Sequence, residues 1–200
     1  MNSSLIGQLH GLEHQISLHK VLVLGCPGAG KSTFSVHLSQ VLNLPVIHLD
    51  QLFWNPGWVQ TDQAQFRNQV QSEVAKAKWV MDGNYSRSFD LRLSHADLIV
   101  VLDRNVWICL WRVIKRMIGQ KLGKKRQDMP DYCIERVDFE FYRWILRFQK
   151  DEMPLIRHAI QNQELQSKTI FIKSDSAAKS FLKTIKNRQT PPAAPPPSPT

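Results

Sequence analysis

The most informative segment of this chain reads Val21-Leu22-Val23-Leu24-Gly25-Cys26-Pro27-Gly28-Ala29-Gly30-Lys31-Ser32-Thr33. Its first four residues are all apolar, which is typical of a strand buried on both faces. A glycine-rich turn follows, and apolar residues then recur at helical spacing at Phe34, Leu38, Val41 and Leu42. The turn fits the pattern G-x-x-x-x-G-K-[ST] between a strand and a helix, which predicts a phosphate-binding loop.

The residue types of this loop suit the phosphates of a nucleotide. Gly25, Gly28 and Gly30 allow the backbone to turn so that successive N–H groups point at phosphate oxygens. The N-terminus of the following helix adds partial positive charge. In such loops the lysine, here Lys31, reaches the β- and γ-phosphates, and the hydroxyl of Ser32 binds Mg²⁺. We therefore expect ATP to contact Gly25, Cys26, Pro27, Gly28, Ala29, Gly30, Lys31, Ser32 and Thr33.

The composition is that of a globular domain. The chain has 200 residues, of which 42% are hydrophobic and 22% charged. No apolar run reaches the roughly 18 residues of a membrane-spanning helix, and residues 1–20 lack the pattern of a secretory signal. The three cysteines, Cys26, Cys109 and Cys133, form no CxxC pair. We therefore expect a cytoplasmic protein with no membrane partner.

Cys26 is either a spacer in the loop or a reactive thiol whose pKa the loop amides lower.

Strand and helix patterns alternate between residues 20 and 187. Apolar runs predict five strands, at residues 21–24, 45–49, 79–81, 98–102 and 169–172. Amphipathic stretches predict helices after the glycine turn, from residue 61 to about 77, and at 106–118, 131–150 and 177–185. This alternation predicts an α/β fold with a five-stranded parallel sheet between layers of helices.

The two ends of the chain are predicted to lie outside this domain. Residues 1–19 form an N-terminal extension in which Leu5, Leu9, Leu12 and Ile16 have the spacing of a short helix. Residues 188–200 are rich in proline and predict a disordered tail.

Acidic residues follow two of the predicted strands and are candidates for the metal site. Asp82 ends the third strand, and carboxyl ends of parallel strands meet at the edge that carries the phosphate loop. We favour Asp82 as the Walker-B acid that holds Mg²⁺ through water. Asp103, which ends the fourth strand, is its rival and could equally cap the next helix. Arg87 follows Asp82 closely and is expected to project into the same crevice.

The acceptor side is predicted after the second strand. Asp50 ends that strand and is placed to touch the acceptor, while His48 just before it is more typical of a packed residue. The aromatic cluster that follows includes Trp54 and Trp58. It forms either a lid over the acceptor or a satellite core, and the sequence favours neither.

Most of the positive charge lies in one stretch. The formal net charge is +9, and residues 104–126 carry +8 of it without an intervening acid. Such a field suits a polyphosphate, a nucleic acid or an anionic surface. Arg112 and Arg116 are one helical turn apart, so both can contact one polyphosphate. The glycines and lysines that follow predict a mobile lid at about residues 117–135.

The order of these motifs resembles that of adenylate kinase and related nucleoside monophosphate kinases. It resembles more closely the bacterial P-loop proteins labelled "DNA topology modulation protein", which are adenylate-kinase-like ATPases. The segments that carry the resemblance are His48-Leu49-Asp50, Trp54, Pro56-Gly57-Trp58, Asp82-Gly83-Asn84-Tyr85, Leu91-Arg92-Leu93, Cys109-Leu110, Arg112-Val113-Ile114-Lys115-Arg116, Asp128-Met129, Cys133, Glu135-Arg136, Phe141 and Trp144.

The resemblance implies a P-loop kinase fold and roles for individual residues. Arg112 would lie against the nucleotide base, Arg116 near its phosphates, and Arg87 on a phosphate of the acceptor. Asn84 and Tyr85 would also contact the acceptor, although they stand where adenylate kinases have Phe-Pro. We therefore expect a kinase that uses ATP and Mg²⁺ and a small acceptor, with Lys31 and these three arginines catalytic. The alternative is a nucleic-acid-binding ATPase or regulator that uses residues 104–126.

Overall fold

A computed structural model describes residues 18–122 and 137–189 of the chain. Its strands are β1 (Lys20–Gly25), β2 (Val46–His48), β3 (Trp54–Asn55), β4 (Val59–Gln60), β5 (Trp79–Asp82), β6 (Leu98–Leu102) and β7 (Thr169–Ile172). Its helices are α1 (Lys31–Leu42), α2 (Leu49–Phe53), α3 (Gln63–Ala75), α4 (Phe89–Arg92), α5 (Val106–Lys121), α6 (Phe139–Asp151), α7 (Met153–Asn162) and α8 (Asp175–Gln189). No helix within these described ranges is long and apolar enough to cross a membrane.

The main sheet has five parallel strands, as the sequence predicted, and the structure gives their order as β2-β5-β1-β6-β7. The residues of β6 and those at 21–24 of β1 are almost fully buried, which explains their continuous apolar runs. Helix α1 packs on α8, where the rings of Phe34 and Phe181 lie 5.9 Å apart. Helix α5 packs on α6, and α6 packs on α7. The result is the predicted α/β fold.

The carboxyl ends of three neighbouring strands meet at one edge of the sheet. In register, Val23 of β1 pairs with Asp82 of β5, and Asp82 also pairs with His48 of β2. The phosphate loop (residues 25–33) leaves β1 at this edge. Parallel strands therefore bring together side chains that are far apart in the sequence.

Several elements differ from the sequence prediction. The predicted strand 45–49 ends at His48, and Leu49 begins the short helix α2. The helix predicted at 131–150 has residues 131–136 outside the described part of the chain. Within the described part it begins at Phe139, because the carboxylate of Asp138 accepts a hydrogen bond from the N–H of Phe141 and caps it. Helix α7 was not predicted; its proline lies in the first turn, where no N–H is needed.

Several predictions fall on residues outside the described part of the chain. They are the N-terminal helix within residues 1–17, most of the predicted lid, at 123–136, and the tail from residue 190. Helix α5 continues past the predicted end at residue 118 to Lys121. Helix α8 continues to Gln189.

Candidate functional site

The phosphate loop has the backbone geometry that its glycines allow. Gly28 and Gly30 have φ values of +80° and +93°, which L side chains rarely adopt. A Cβ atom on Gly28 would lie only 2.3 Å from the carbonyl oxygen of Cys109 in α5, so the loop lies against that helix. Helix α1 begins at Lys31 without a side-chain cap or an acid in its first turn. Its N-terminal N–H groups therefore suit an anion.

Lys31 is held against the loop itself. Its Nζ donates hydrogen bonds to the carbonyl oxygens of Gly25 and Cys26, at 2.9 and 3.3 Å. Both acceptors are neutral, and an ammonium group bonds more strongly to an ionised phosphate. This arrangement keeps the ammonium group at the loop.

Asn84 fixes the start of the loop. Its Oδ1 accepts a hydrogen bond from the N–H of Gly25 at 3.0 Å, and its Nδ2 donates one to the Gly25 carbonyl at 2.9 Å. Asn84 is buried and follows β5, so this pair of bonds joins the ends of β5 and β1. An amide is the side chain that can both donate and accept here, which explains the residue type.

Asp82 lies below the loop and is bonded to a histidine. Its Oδ2 atom is 2.8 Å from Nδ1 of His48, and both side chains are buried. Asp103 lies elsewhere, where its carboxylate accepts hydrogen bonds from Gln149 at 2.7 Å and Arg157 at 3.3 Å. The cap of α5 is Asn105, not Asp103, because Asn105 Oδ1 accepts a bond from the N–H of Trp107.

The predicted acceptor residues form a hydrogen-bonded pair. The hydroxyl of Tyr85 donates to Oδ1 of Asp50 at 2.6 Å. Burial and the neighbouring charge of Asp50 raise the pKa of Tyr85 far above its ordinary value, so the phenol keeps its proton. Tyr85 itself has a φ of +37°.

The aromatic cluster after the second strand has two parts. Phe53 packs on Phe66 and Tyr85, with ring centroids 5.1 and 4.7 Å apart, and extends the core. Trp54 and Trp58 lie 5.2 Å apart on the small hairpin of β3 and β4 and line a cavity. Phe53 therefore belongs to the core, as one of the two alternatives expected, while a lid over the acceptor stays a prediction for Trp54 and Trp58.

The cavity joins the phosphate loop, α5, α6 and the hairpin, and its volume is about 830 Å³. The predicted site residues that line it are Pro27, Gly28, Gly30, Lys31, Ser32, Thr33, Asp50, Asn84, Tyr85, Arg112 and Arg116. The predicted residues that do not line it are Gly25, Cys26, Ala29, Asp82 and Arg87. Phe141, Tyr142 and Trp144 of α6 add an aromatic wall.

Arg112 and Arg116 share the face of α5 that borders the cavity, as their spacing predicted. Arg112 pairs with Asp175 at 2.5 Å, and Arg104 pairs with the same carboxylate at 3.2 Å. Burial opposes ionisation of Asp175, but the hydrogen bond to Arg112 and the two positive charges outweigh it and lower its pKa. Asp175 was not identified from the sequence, although its position three residues after the end of the last strand is a usable signal.

Arg87 and Arg92 have different environments. Arg87 is exposed and donates to Oε1 of Gln63 at 3.2 Å. Arg92 is fully buried and donates to the carbonyls of Gly83 at 2.9 Å, Asn84, and Tyr85 at 3.2 Å. Burial lowers the pKa of Arg92 to about 9. Arg92 was not among the predicted site residues, yet its side chain holds the segment that carries Asn84 and Tyr85.

No cluster of three or more histidine, cysteine or carboxylate side chains suited to a metal ion occurs in residues 18–122 and 137–189. Ser32 lines the cavity at the first turn of α1. A divalent ion here would need ligands from a bound phosphate in addition to protein oxygens.

Comparison with known proteins shows the fold. No family model matches the chain, and no curated protein matches it either. Among solved structures, shikimate kinase from Acinetobacter baumannii in complex with shikimate matches with 18% identity and a TM-score of 0.51, over 90% of this chain and 98% of that one. Shikimate kinase from Bacteroides thetaiotaomicron matches with 16% identity and a TM-score of 0.52, over 86% and 98%. The chain therefore has the fold of P-loop kinases.

Proposed function

We propose that this protein transfers the γ-phosphoryl group of ATP, with Mg²⁺, to a small acceptor. The observation that carries the proposal is the composition of one cavity. It contains the phosphate loop with Lys31 at one end, two arginines on α5, and the Asp50–Tyr85 pair at the other. The fold that this chain shares with shikimate kinases supports the proposal.

The donor end fits the triphosphate of ATP. The positive φ values at Gly28 and Gly30 and the uncapped start of α1 supply N–H groups for phosphate oxygens. Lys31 exchanges its two carbonyl partners for the phosphates. Such fixed positive groups stabilise the charge that spreads over the transferring phosphoryl group.

Mg²⁺ would be held by the hydroxyl of Ser32 and by the phosphates, and it would neutralise charge on the β- and γ-oxygens. Asp82 would act through water, since its carboxylate is buried and bonded to His48. His48 then positions Asp82 rather than touching the acceptor.

The acceptor end suits a molecule with a hydroxyl group on an apolar or ring-shaped body. The carboxylate of Asp50 can accept the hydrogen bond of such a hydroxyl and draw off its proton as the phosphoryl group arrives. The rings of Trp54 and Trp58 offer flat apolar surface beside it. Arg87 would reach this end only by leaving Gln63, and would then hold a phosphate of the acceptor.

A direct test is a screen for ATP-dependent phosphorylation of nucleosides, nucleoside monophosphates and sugar acids, read by ³¹P NMR. The proposal expects a new phosphate ester and stoichiometric ADP with one class. ADP release that no acceptor accelerates, with no phosphorylated product, would contradict it.

Asp50→Asn is expected to lower kcat by about 10²-fold, with the affinity for ATP unchanged. This is the low end of the rate contribution that a general base makes. The amide keeps the shape of the side chain and can still bond to Tyr85, but it cannot take a proton. Steady-state kinetics with the acceptor found by the screen measure the effect. Glu73→Gln, which alters a carboxylate that pairs with Lys76 and does not line the cavity, is the matched control and should match wild type.

One observation favours nucleic-acid binding as a second candidate function. Trp107 and Trp111 of α5 are 65% and 63% exposed, and the exposed Lys115 lies on the same helix. Exposed aromatic rings among basic residues suit the stacking of bases.

This second function predicts that the affinity for nucleic acid falls steeply as the salt concentration rises. Logarithmic affinity for duplex DNA should fall with logarithmic salt concentration with a slope of about −0.9 per neutralised phosphate. The kinase proposal instead expects only non-specific binding, with Kd no tighter than about 10⁻⁶ M at physiological salt. Fluorescence anisotropy with labelled duplex and single strands distinguishes the two. Tight binding without ATP that Trp107→Ala abolishes would favour the nucleic-acid function.

A further inference from the structure

Aromatic rings and carboxylates lie side by side where α6 borders the cavity. Phe141 and Trp144 line the cavity with their ring centroids 5.9 Å apart. The carboxylate of Asp138 accepts a hydrogen bond from the N–H of Phe141 at 3.0 Å. The carboxylate of Glu152 accepts one from the indole N–H of Trp144, also at 3.0 Å. Both acids line the same cavity, so these four residues, the α6 wall, are negative as well as aromatic.

The hydrogen bonds that orient the two carboxylates leave their negative charge in place. A backbone N–H and an indole N–H are both neutral donors. Neither Asp138 nor Glu152 forms an ion pair within the described part of the chain. The third carboxylate that lines the cavity, that of Asp50, accepts its hydrogen bond from the uncharged phenol of Tyr85. These three negative groups suit a ligand that brings positive charge.

The positive groups that line the cavity belong to the phosphate loop and to α5. Among the described residues they are Lys31, Arg112 and Arg116. The proposed function assigns all three to ATP. Arg87, which was predicted to hold a phosphate of the acceptor, does not line the cavity. An anionic acceptor would therefore find no further cation among the described lining residues, whereas a cationic acceptor would find carboxylates.

We propose that the phosphoryl acceptor is a hydroxyl compound that carries a cationic amine, and that the α6 wall binds this amine. An ammonium group is attracted both to the face of an aromatic ring and to a carboxylate. The α6 wall supplies the two together. Trp54 and Trp58 of the hairpin add two more rings to the same cavity. The role of the amine compound as acceptor rests on the proposed function, whereas the binding of the amine does not.

The amine is bound and does not react. Its nitrogen is protonated or quaternary, so it has no lone pair with which to attack phosphorus. The hydroxyl oxygen of the acceptor instead forms a bond to the γ-phosphorus, the bond from that phosphorus to the bridging oxygen breaks, and ADP leaves. The hydroxyl proton passes to the carboxylate of Asp50 and then to water. The product is a phosphate ester that keeps its positive amine.

The experiment compares matched probes that differ in charge but little in shape. Choline is paired with its uncharged carbon analogue, in which a tert-butyl group replaces the trimethylammonium group, and glucosamine is paired with glucose. Calorimetry on the full chain without ATP should show the cationic member of at least one pair binding about 10-fold to 100-fold more tightly than the neutral one, because its bonds involve charged groups. With ATP and Mg²⁺, ³¹P NMR should show the phosphate ester of that cation.

Two variants test the α6 wall itself. Glu152→Gln keeps an oxygen for the indole of Trp144 but removes the charge, so the affinity for the cation should fall by about 10-fold. The affinities for the neutral probe and for ATP should stay unchanged. Phe141→Leu removes an aromatic face but keeps an apolar side chain, and should weaken cation binding by about 2-fold to 30-fold. Glu140→Gln alters an exposed carboxylate of α6 that does not line the cavity, and is the matched control.

Each outcome decides the proposal. Equal binding of the charged and neutral members of both pairs would overturn it, as would an equal loss of cation affinity in Glu140→Gln and Glu152→Gln. A fall in ATP affinity in Glu152→Gln would assign the α6 wall to the nucleotide and overturn it too. If the cation binds as expected but no acceptor is phosphorylated, the proposed function fails while the amine site stands. If a neutral or anionic acceptor is phosphorylated and the cations bind no better than their neutral partners, the amine site fails alone.

Discussion

Lys31→Ala is expected to lower ATP turnover by about 10²–10³-fold, the cost of removing one preorganised group that stabilises transferring charge. Lys31 begins α1, lines the cavity, and bonds to the carbonyls of Gly25 and Cys26. Its ammonium group is therefore already at the loop when the phosphates arrive. ATP affinity should fall as well, by about 10-fold to 100-fold, because a bond between two charged groups is lost.

The fold should survive this substitution. Alanine is a good helix former. The two carbonyls that lose the lysine keep other hydrogen bonds, because Asn84 Nδ2 donates to that of Gly25 and the N–H of Ala29 donates to that of Cys26. Far-UV circular dichroism and thermal unfolding check the fold, while calorimetry and coupled ADP release measure binding and turnover. Lys115→Ala removes the same charge from an exposed site on α5 and is the matched control. Wild-type turnover in Lys31→Ala would contradict the assignment of the loop.

The fold was predictable because its signals are local. The buried strands β1 and β6 appear as continuous apolar runs, and the glycine turn lies directly between β1 and α1. Each pattern falls within a single element, so neighbouring residues suffice to identify it. The cavity face of α5 was predictable for the same reason, since Arg112 and Arg116 are one turn apart.

The remaining parts of the site depend on contacts between distant segments. Asp175 meets Arg112 only because β7 and α5 are brought together by the sheet, and the backbone of Cys109 meets Gly28 for a similar reason. The hairpin that carries Trp58 has strands of only two residues, too short to show an alternating pattern. Arg92 stands between two leucines in Leu91-Arg92-Leu93, but arginine is rarely fully buried, so nothing in this pattern predicts its burial.

Arg116→Ala is expected to lower kcat by about 10²–10³-fold, or roughly 3–4 kcal/mol. Arg116 lines the cavity one turn beyond Arg112, on the α5 face that borders the phosphate loop. Its charge is most valuable while negative charge shifts toward the leaving oxygen in the transition state. KM for ATP should change less, because Lys31 and the loop amides still hold the phosphates of the ground state.

The opposite pattern is expected for Arg112→Ala if Arg112 lies against the base of ATP: KM should rise more than kcat falls. Because Arg112 also pairs with Asp175, the thermal unfolding of the Arg112→Ala variant must be measured beside its kinetics. Arg188→Ala, at the exposed end of α8, removes an equal charge outside the cavity and should behave as wild type. If both α5 arginines were merely solvated, each substitution would change stability by less than about 0.5 kcal/mol and leave the kinetics unaltered. That result would remove α5 from the phosphoryl-transfer machinery and leave its basic residues, with Trp107 and Trp111, to the nucleic-acid function.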